Sequence, residues 1–390
     1  MVTERIQVSR DVMQWVLNRT GKHPEQQGAP KWVRDVAQWR DQNTQPTLNE
    51  LMDVAKNAHL PFDRLLADQP PPKAQVPLPD MRTVGSREIT EPSLELLEII
   101  GLCQWRQEWY KDYLRTITNA FCDFVGSVTV TDPVVQVAEQ MRDQLDLPAI
   151  PATGKWEDRI RELTDRIEDI GVLVVRSSMI RSRHRMLKPK EFRGFALVDD
   201  HAPLIFVNGA DSLGAQAFTL MHELAHIWLG ETALSGSKRF TDADHGVEQW
   251  CNQVAAEVLV PVQDIQQQFD TAAPLEQEMG RLVKRYKVSG MVVLIRLHTA
   301  RLIERLQFQD LYDDEKARID ADKPLGFSKF STRYRQINSV GRLLLQAVQS
   351  SLSQESVTYR KAYELLGISS AKALEEMAQI VEKRQAEALC

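Results

Sequence analysis

The chain has 390 residues, 43% hydrophobic and 26% charged, which is a globular composition at a length that calls for more than one core. A net charge of −6 excludes a molecule built throughout as a polyanion binder, though not a local basic patch. No apolar run approaches the roughly 20 residues that span a bilayer, the N-terminus lacks the apolar stretch of a secretion signal, and four scattered cysteines contain no CxxC pair, so the expectation is a reduced, cytoplasmic protein with no membrane partner.

Residues 1–68 read as a small helical domain. Val12, Val16 and Leu17 sit at helical spacing, as do Trp32, Val36 and Trp39, and Gly28-Ala29-Pro30 breaks the pattern between them. Thr47 precedes Glu50 by three residues, a capping-box spacing, and Leu48, Leu51, Met52 and Ala55 then form an apolar stripe. Short helices with tight breaks are what a helix-turn-helix fold shows. Its base-reading candidates are Arg34, Gln38 and Arg40, with Lys31 and Gln42 beside them. Over 1–68, however, acidic and basic residues are equal in number, a poor balance for a phosphate binder that favours protein contacts over DNA.

Residues 69–150 read as a linker and connecting segment. The run QPPPKAQVPLPD (69–80) carries five prolines and excludes helix or central strand, and an aromatic-rich helical stretch occupies 93–147. Residues 151–265 form the next domain. An amphipathic helix over 156–170 precedes three β-rich runs, GVLVV (171–175), FRGFALVDD (192–200) and PLIFVN (203–208), predicted as a small antiparallel sheet with a tight hairpin at His201-Ala202. Helices are predicted over 212–229 and about 245–259, and residues 231–246 read as a polar lid between them. Residues 266–390 read as a helical C-terminal region broken at Pro324-Leu325-Gly326. The fold class is α+β, mostly helical.

The chemistry sits at HELAH, residues 222–226. Four residues apart on a helix, His222 and His226 share a face and can hold one metal ion, and Zn2+ is the ion this motif suits. Glu223 is rotated roughly 100° from His222, which places it as general base toward the attacking water rather than as a ligand. A catalytic zinc site takes a third protein ligand. VEQWCNQVAAEVLVP offers Glu248 and Glu257, nine residues apart on roughly opposite helix faces, so only one can serve. Glu248 is preferred, with Asn252 four residues on as outer support for a ligating histidine, and Glu257 is read as a solvent-facing charge. Asp242, Asp244 and His245 are weaker metal candidates. An oxyanion donor could be His245 or His201, each more plainly read as a surface histidine. The basic run RLVKRYKVSG and the RLHTARLIERL that follows it read as a solvated helix face.

FTLMHELAHIWLG and EQWCNQVAAEVLVP, with GFALVDD and PLIFVN ahead of them, resemble the ImmA/IrrE family of metallopeptidases, with Val260-Pro261 in place of the family's Met-Pro. PTLNELMDVAKNAHLPFDRLLADQPP resembles the Xre-type helix-turn-helix region that often precedes that peptidase, and LPDMRT and CQWRQEWYKDYL resemble the segment linking the two. The resemblance implies a gluzincin-like zinc peptidase with Glu248 as third ligand. It also implies cleavage of a specific protein, a helix-turn-helix repressor or antitoxin, in stress, mobile-element, toxin–antitoxin or phage-defence regulation. The alternative is a DNA-binding regulator or toxin component whose zinc site is structural or sensory.

Overall fold

Helical periodicity builds the N-terminal unit. The computed structural model describes residues 5–20, 23–26, 28–58, 60, 62–70, 92–118, 120–148, 154–180, 185–235, 242–321 and 332–388. The chain divides into two compact units, one of residues 1–77 with 90–98, the other of 78–89 with 99–390. In the first, helices α1 (Arg10–Thr20), α2 (Lys31–Arg40), α3 (Leu48–Ala58) and α4 (Phe62–Leu65) enclose their own core. Val12, Val16, Leu17, Trp32, Val36 and Trp39 are all buried in it, as their spacing predicts. The capping box forms: the Thr47 amide donates to Glu50 Oε2 at 2.8 Å, and the Glu50 amide donates to Thr47 Oγ1 at 3.3 Å. The apolar stripe of α3 is a correction. Leu48 and Met52 are exposed, and the buried face is Leu51, Val54, Ala55 and Ala58, a set at i, i+3, i+4, i+7 that turns the helix away from the expected one. Most of the Pro-rich run lies outside the described residues.

The second unit takes α5 (Leu94–Ile117) from residue 99 onward, then α6 (Val134–Gln144) and α7 (Trp156–Asp169). The sheet follows, with β1 (Leu173–Ser177), β2 (Gly194–Leu197), β3 (Leu204–Asn208), the long α8 (Leu213–Leu229), a short β4 (Ala233–Ser235) and α9 (Asp242–Leu259). Strand order is β1-β3-β2-β4. The α+β expectation holds, but the sheet is mixed rather than antiparallel throughout: β2 pairs antiparallel with β3 and β4, whereas β1 pairs parallel with β3, Val175 opposite Phe206. GVLVV is apolar without alternation, the pattern of a strand buried on both faces, which parallel strands share. The β2–β3 connection is also longer than the expected hairpin. It spans 198–203 and is held by Asp199 Oδ1, which accepts from the amides of His201 (2.9 Å) and Ala202 (3.0 Å).

Both sheet faces are covered. Val174, Ala196, Ile205 and Val207 join the core beneath α8, while Phe195 and Phe206 stack at 4.9 Å on the opposite side with Phe192 beside them. Ser212 caps α8 by accepting from the Ala215 amide at 3.3 Å. At the other end Gly230 takes φ +74°, and a Cβ there would stand 2.9 Å from Gly126 Cα, because segment 124–128 packs on the end of α8 with Phe124 stacked on Trp228 at 4.2 Å. Gly230→Ala is therefore expected to lower stability by about 2 kcal/mol, the cost of a left-handed non-glycine residue plus the close backbone contact, read as the shift of a denaturant midpoint.

The remaining helices are α10 (Val262–Gln268), α11 (Leu275–Tyr286), α12 (Gly290–Thr299), α13 (Arg305–Ala321), α14 (Thr332–Asn338), α15 (Arg342–Ser353), α16 (Tyr359–Leu366) and α17 (Ala371–Ala388). The break expected at 324–326 lies outside the described residues. Ser289 caps α12, and its amide sits 2.7 Å from where a Cβ on Gly214 would be, so α8 and the start of α12 touch backbone to backbone. The basic runs are not one solvated face: Arg296 is buried against Glu257, and Arg281 is tied to Glu278 and to the Gln268 carbonyl.

Candidate metal centre

α8 is apolar almost all round, yet it buries three ionisable side chains within its HELAH turn. His222, Glu223 and His226 are each less than 4% exposed. Such groups cannot be buried cheaply unless something pairs them. α9 supplies the partner. Ala255 and Ala256 are small and buried on it, and it packs along α8 so that Glu248 reaches both rings, Oε2 at 3.3 Å from His222 Nε2 and Oε1 at 3.1 Å from His226 Nε2. The two Nε2 atoms are themselves 3.1 Å apart. The donor atoms of the three residues lie within 4.8 Å of one another, and among the described residues this is the group able to hold a metal ion.

The electrostatics of the cluster call for a cation. Burial opposes charge on Glu248, yet the charge and hydrogen bonds of His222, with His226 beside it, hold its carboxyl well below the usual range. Burial likewise opposes a charged His222, but Glu248 overrides it and raises that ring; burial lowers His226. Two nitrogens and a carboxylate aimed at one point form the donor set of a borderline divalent ion such as zinc. The residues therefore fit a metal. Asn252, one turn beyond Glu248, is close enough to His222 to favour its protonated form, without completing a hydrogen bond to Nδ1. The Nδ1 atoms of both rings are buried with no hydrogen-bond partner among the described residues.

Glu223 is fully buried and stands outside the trio able to hold a metal, as its rotation about α8 predicts. It faces the sheet at Gly194 on β2, where an added Cβ would lie 2.9 Å from Glu223 Oε1, 2.5 Å from Thr219 Cγ2 and 2.7 Å from the Phe206 carbonyl oxygen. Gly194 is a residue that sequence reasoning passed over. Its signal was present, since a glycine inside the β-rich run FRGFALV marks a close approach.

The other candidates fall elsewhere. Glu257 is not a solvent-facing charge: it is 6% exposed, pairs with Arg296, and accepts from the Val262 amide at 3.1 Å, which closes the end of α9. Asp242, Asp244 and His245 start α9, so the expected lid over 231–246 is part strand and part helix; their side chains and residues 236–241 lie outside the description. His201 Nδ1 lies 2.6 Å from the Ala120 carbonyl and its ring meets Phe121 edge-on, so it is occupied at the β2–β3 connection and not brought into the trio. In the N-terminal unit Arg34 and Gln38 are exposed one turn apart on α2, whereas Arg40 is engaged by Asp41 at 2.7 Å.

If the trio holds metal, its occupancy contributes to stability. Zinc at about ten times its Kd is expected to stabilise the chelator-treated protein by about 1.4 kcal/mol. The effect should vanish in His226→Ala, and a thermal melt with and without zinc checks both.

No curated protein matches this chain. Residues 168–298, the segment that contains His222, Glu223, His226 and Glu248, match the model of a peptidase family described as the IrrE N-terminal-like domain, which supports the ImmA/IrrE resemblance and a peptidase fold for this segment.

Proposed function

We propose that this chain is a zinc-dependent endopeptidase in which His222, His226 and Glu248 hold the metal and Glu223 is the general base. The observation that carries the reading is the convergence of donor atoms from three residues beside a buried fourth side chain that is not among them. A zinc ion held there supplies a Lewis acid for the scissile carbonyl and lowers the pKa of an attacking water. Glu223 takes the proton from that water and delivers it to the leaving amine. Burial of the three α8 side chains excludes bulk water and strengthens each of these interactions.

The substrate is a specific protein, a helix-turn-helix regulator or antitoxin, in the stress, mobile-element or defence settings that the ImmA/IrrE resemblance implies. Arg34 and Gln38 on α2 remain the positions through which the N-terminal unit would contact DNA or a protein regulator. The test is a trap. Tagged Glu223→Gln protein and wild type are expressed in the native host, and co-purifying proteins are identified by mass spectrometry. A regulator enriched on the variant and cut by added wild-type enzyme is the expected result. Equal capture by both forms with no cleavage would instead favour a binding module whose metal is structural or sensory.

A further inference from the structure

A second cavity, built from residues the metal centre does not use, lies at the β1 edge of the sheet. Its volume is about 1070 Å3, and its walls are α7, β1, the α14–α15 junction and α17. Much of that wall belongs to the helical region beyond residue 298, outside the segment matched to the peptidase family. Charge is unevenly settled around it. On one side Arg342 meets Asp169 at 2.6 Å and Glu168 at 3.5 Å, and Arg159 meets Glu162 at 2.8 Å.

Arg176 on β1 and Arg384 on α17 have no such arrangement. Among the described residues neither guanidinium has a carboxylate within ion-pair distance and neither donates a side-chain hydrogen bond. Arg384 stacks over the Tyr334 ring at 4.5 Å, and its Nε is buried without a partner. Arg176 shares the β1 face of Val174 and is half-buried there; desolvation first, then the Arg384 charge, push it down to about 10. Asp165 is the carboxyl whose charge acts on Arg176, and burial raises it against the pull of Arg342 and Arg384. Two guanidinium groups on one cavity wall that repel each other, neither with a carboxylate in ion-pair distance among the described residues, are costly to hold. One carboxylate satisfies a single guanidinium fork, whereas a dianion with three acceptor oxygens can take both forks at once.

We propose that this cavity binds a phosphate group between Arg176 and Arg384, either as free phosphate or as the phosphate of a small molecule whose remainder lies along Tyr334 and Asn338. The site is independent of the peptidase reading, and its test does not use hydrolysis.

Full-length protein is titrated calorimetrically with inorganic phosphate and with adenosine monophosphate, with succinate at matched ionic strength as the control. Saturable binding of phosphate or the nucleotide is expected, stronger than succinate and weakened about tenfold or more in both Arg176→Met and Arg384→Gln, the loss of one charge-assisted fork. Tighter binding of the nucleotide identifies a carried phosphate; equal binding identifies free phosphate. The proposal is overturned if wild type binds neither phosphate probe, if succinate binds as well as they do, or if folded variants bind like wild type. Circular dichroism establishes which variants are folded, and the wild-type titration decides if neither is.

Discussion

Replacing Glu223 by glutamine is expected to leave zinc binding intact and to cut cleavage of the trapped protein by about a thousandfold or more, within the range that loss of a general base produces. The asymmetry follows from the geometry. The atoms able to hold a metal belong to His222, His226 and Glu248, so removing the charge of Glu223 subtracts nothing from that donor set. Glutamine keeps the shape that fits against Gly194 but cannot accept a proton. Zinc stoichiometry measured by elemental analysis should match wild type, while single-turnover cleavage should fall almost to background. Cleavage retained within tenfold would remove Glu223 from the role of base, and zinc loss in the variant would make it a ligand instead. The same measurement separates the peptidase reading from a structural or sensory metal, since a purely structural site has no use for a carboxylate beside its ligands.

The convergence of His222, His226 and Glu248 was legible because its information is local. His222 and His226 are one helical turn apart, and any helix places them together; Glu248 and Glu257 on the next helix could not both face the same way, so a choice between two sufficed. What Glu257 does was not legible, because its partner Arg296 lies in a region read as a basic surface, and only the fold brings them together. Strand direction failed for a related reason. The apolar run of β1 says that both of its faces are covered, but its place beside β3 depends on the path of 178–193, which has no repeating pattern. In the N-terminal unit the periodicities of α1 and α2 fixed their buried faces, while on α3 the leucine at 48 and methionine at 52 outweighed Val54 and Ala58 in the reading and the true face was misplaced by part of a turn. The Arg176–Arg384 pair was invisible in sequence, its members standing more than two hundred residues apart on a strand and a terminal helix.

Gly194→Ala is expected to damage activity out of proportion to its size. The new Cβ would meet three atoms closer than 3.0 Å: Thr219 Cγ2, the Phe206 carbonyl oxygen and Glu223 Oε1. The Phe206 carbonyl belongs to β3, paired on both sides, and cannot retreat, so β2 must rise from α8 or the side chains of Thr219 and Glu223 must turn. Overpacking of this kind costs about 2 kcal/mol in stability. The functional cost is separate, because a displacement of about 1 Å at a catalytic group lowers a rate by about a hundredfold. Zinc uptake should survive, since none of the three contacts belongs to the trio able to hold a metal. Pairing the change with Thr219→Ser distinguishes the two costs: losing the methyl that stands 2.5 Å away should restore part of the stability, yet the Glu223 contact persists and activity should stay low. Denaturant midpoints, zinc content and kcat against KM for the three variants provide the test. If Gly194→Ala matches wild type within twofold in kcat, Gly194 does not position the base, and if Thr219→Ser restores kcat along with stability, the damage passes through the packing of α8 and not through Glu223.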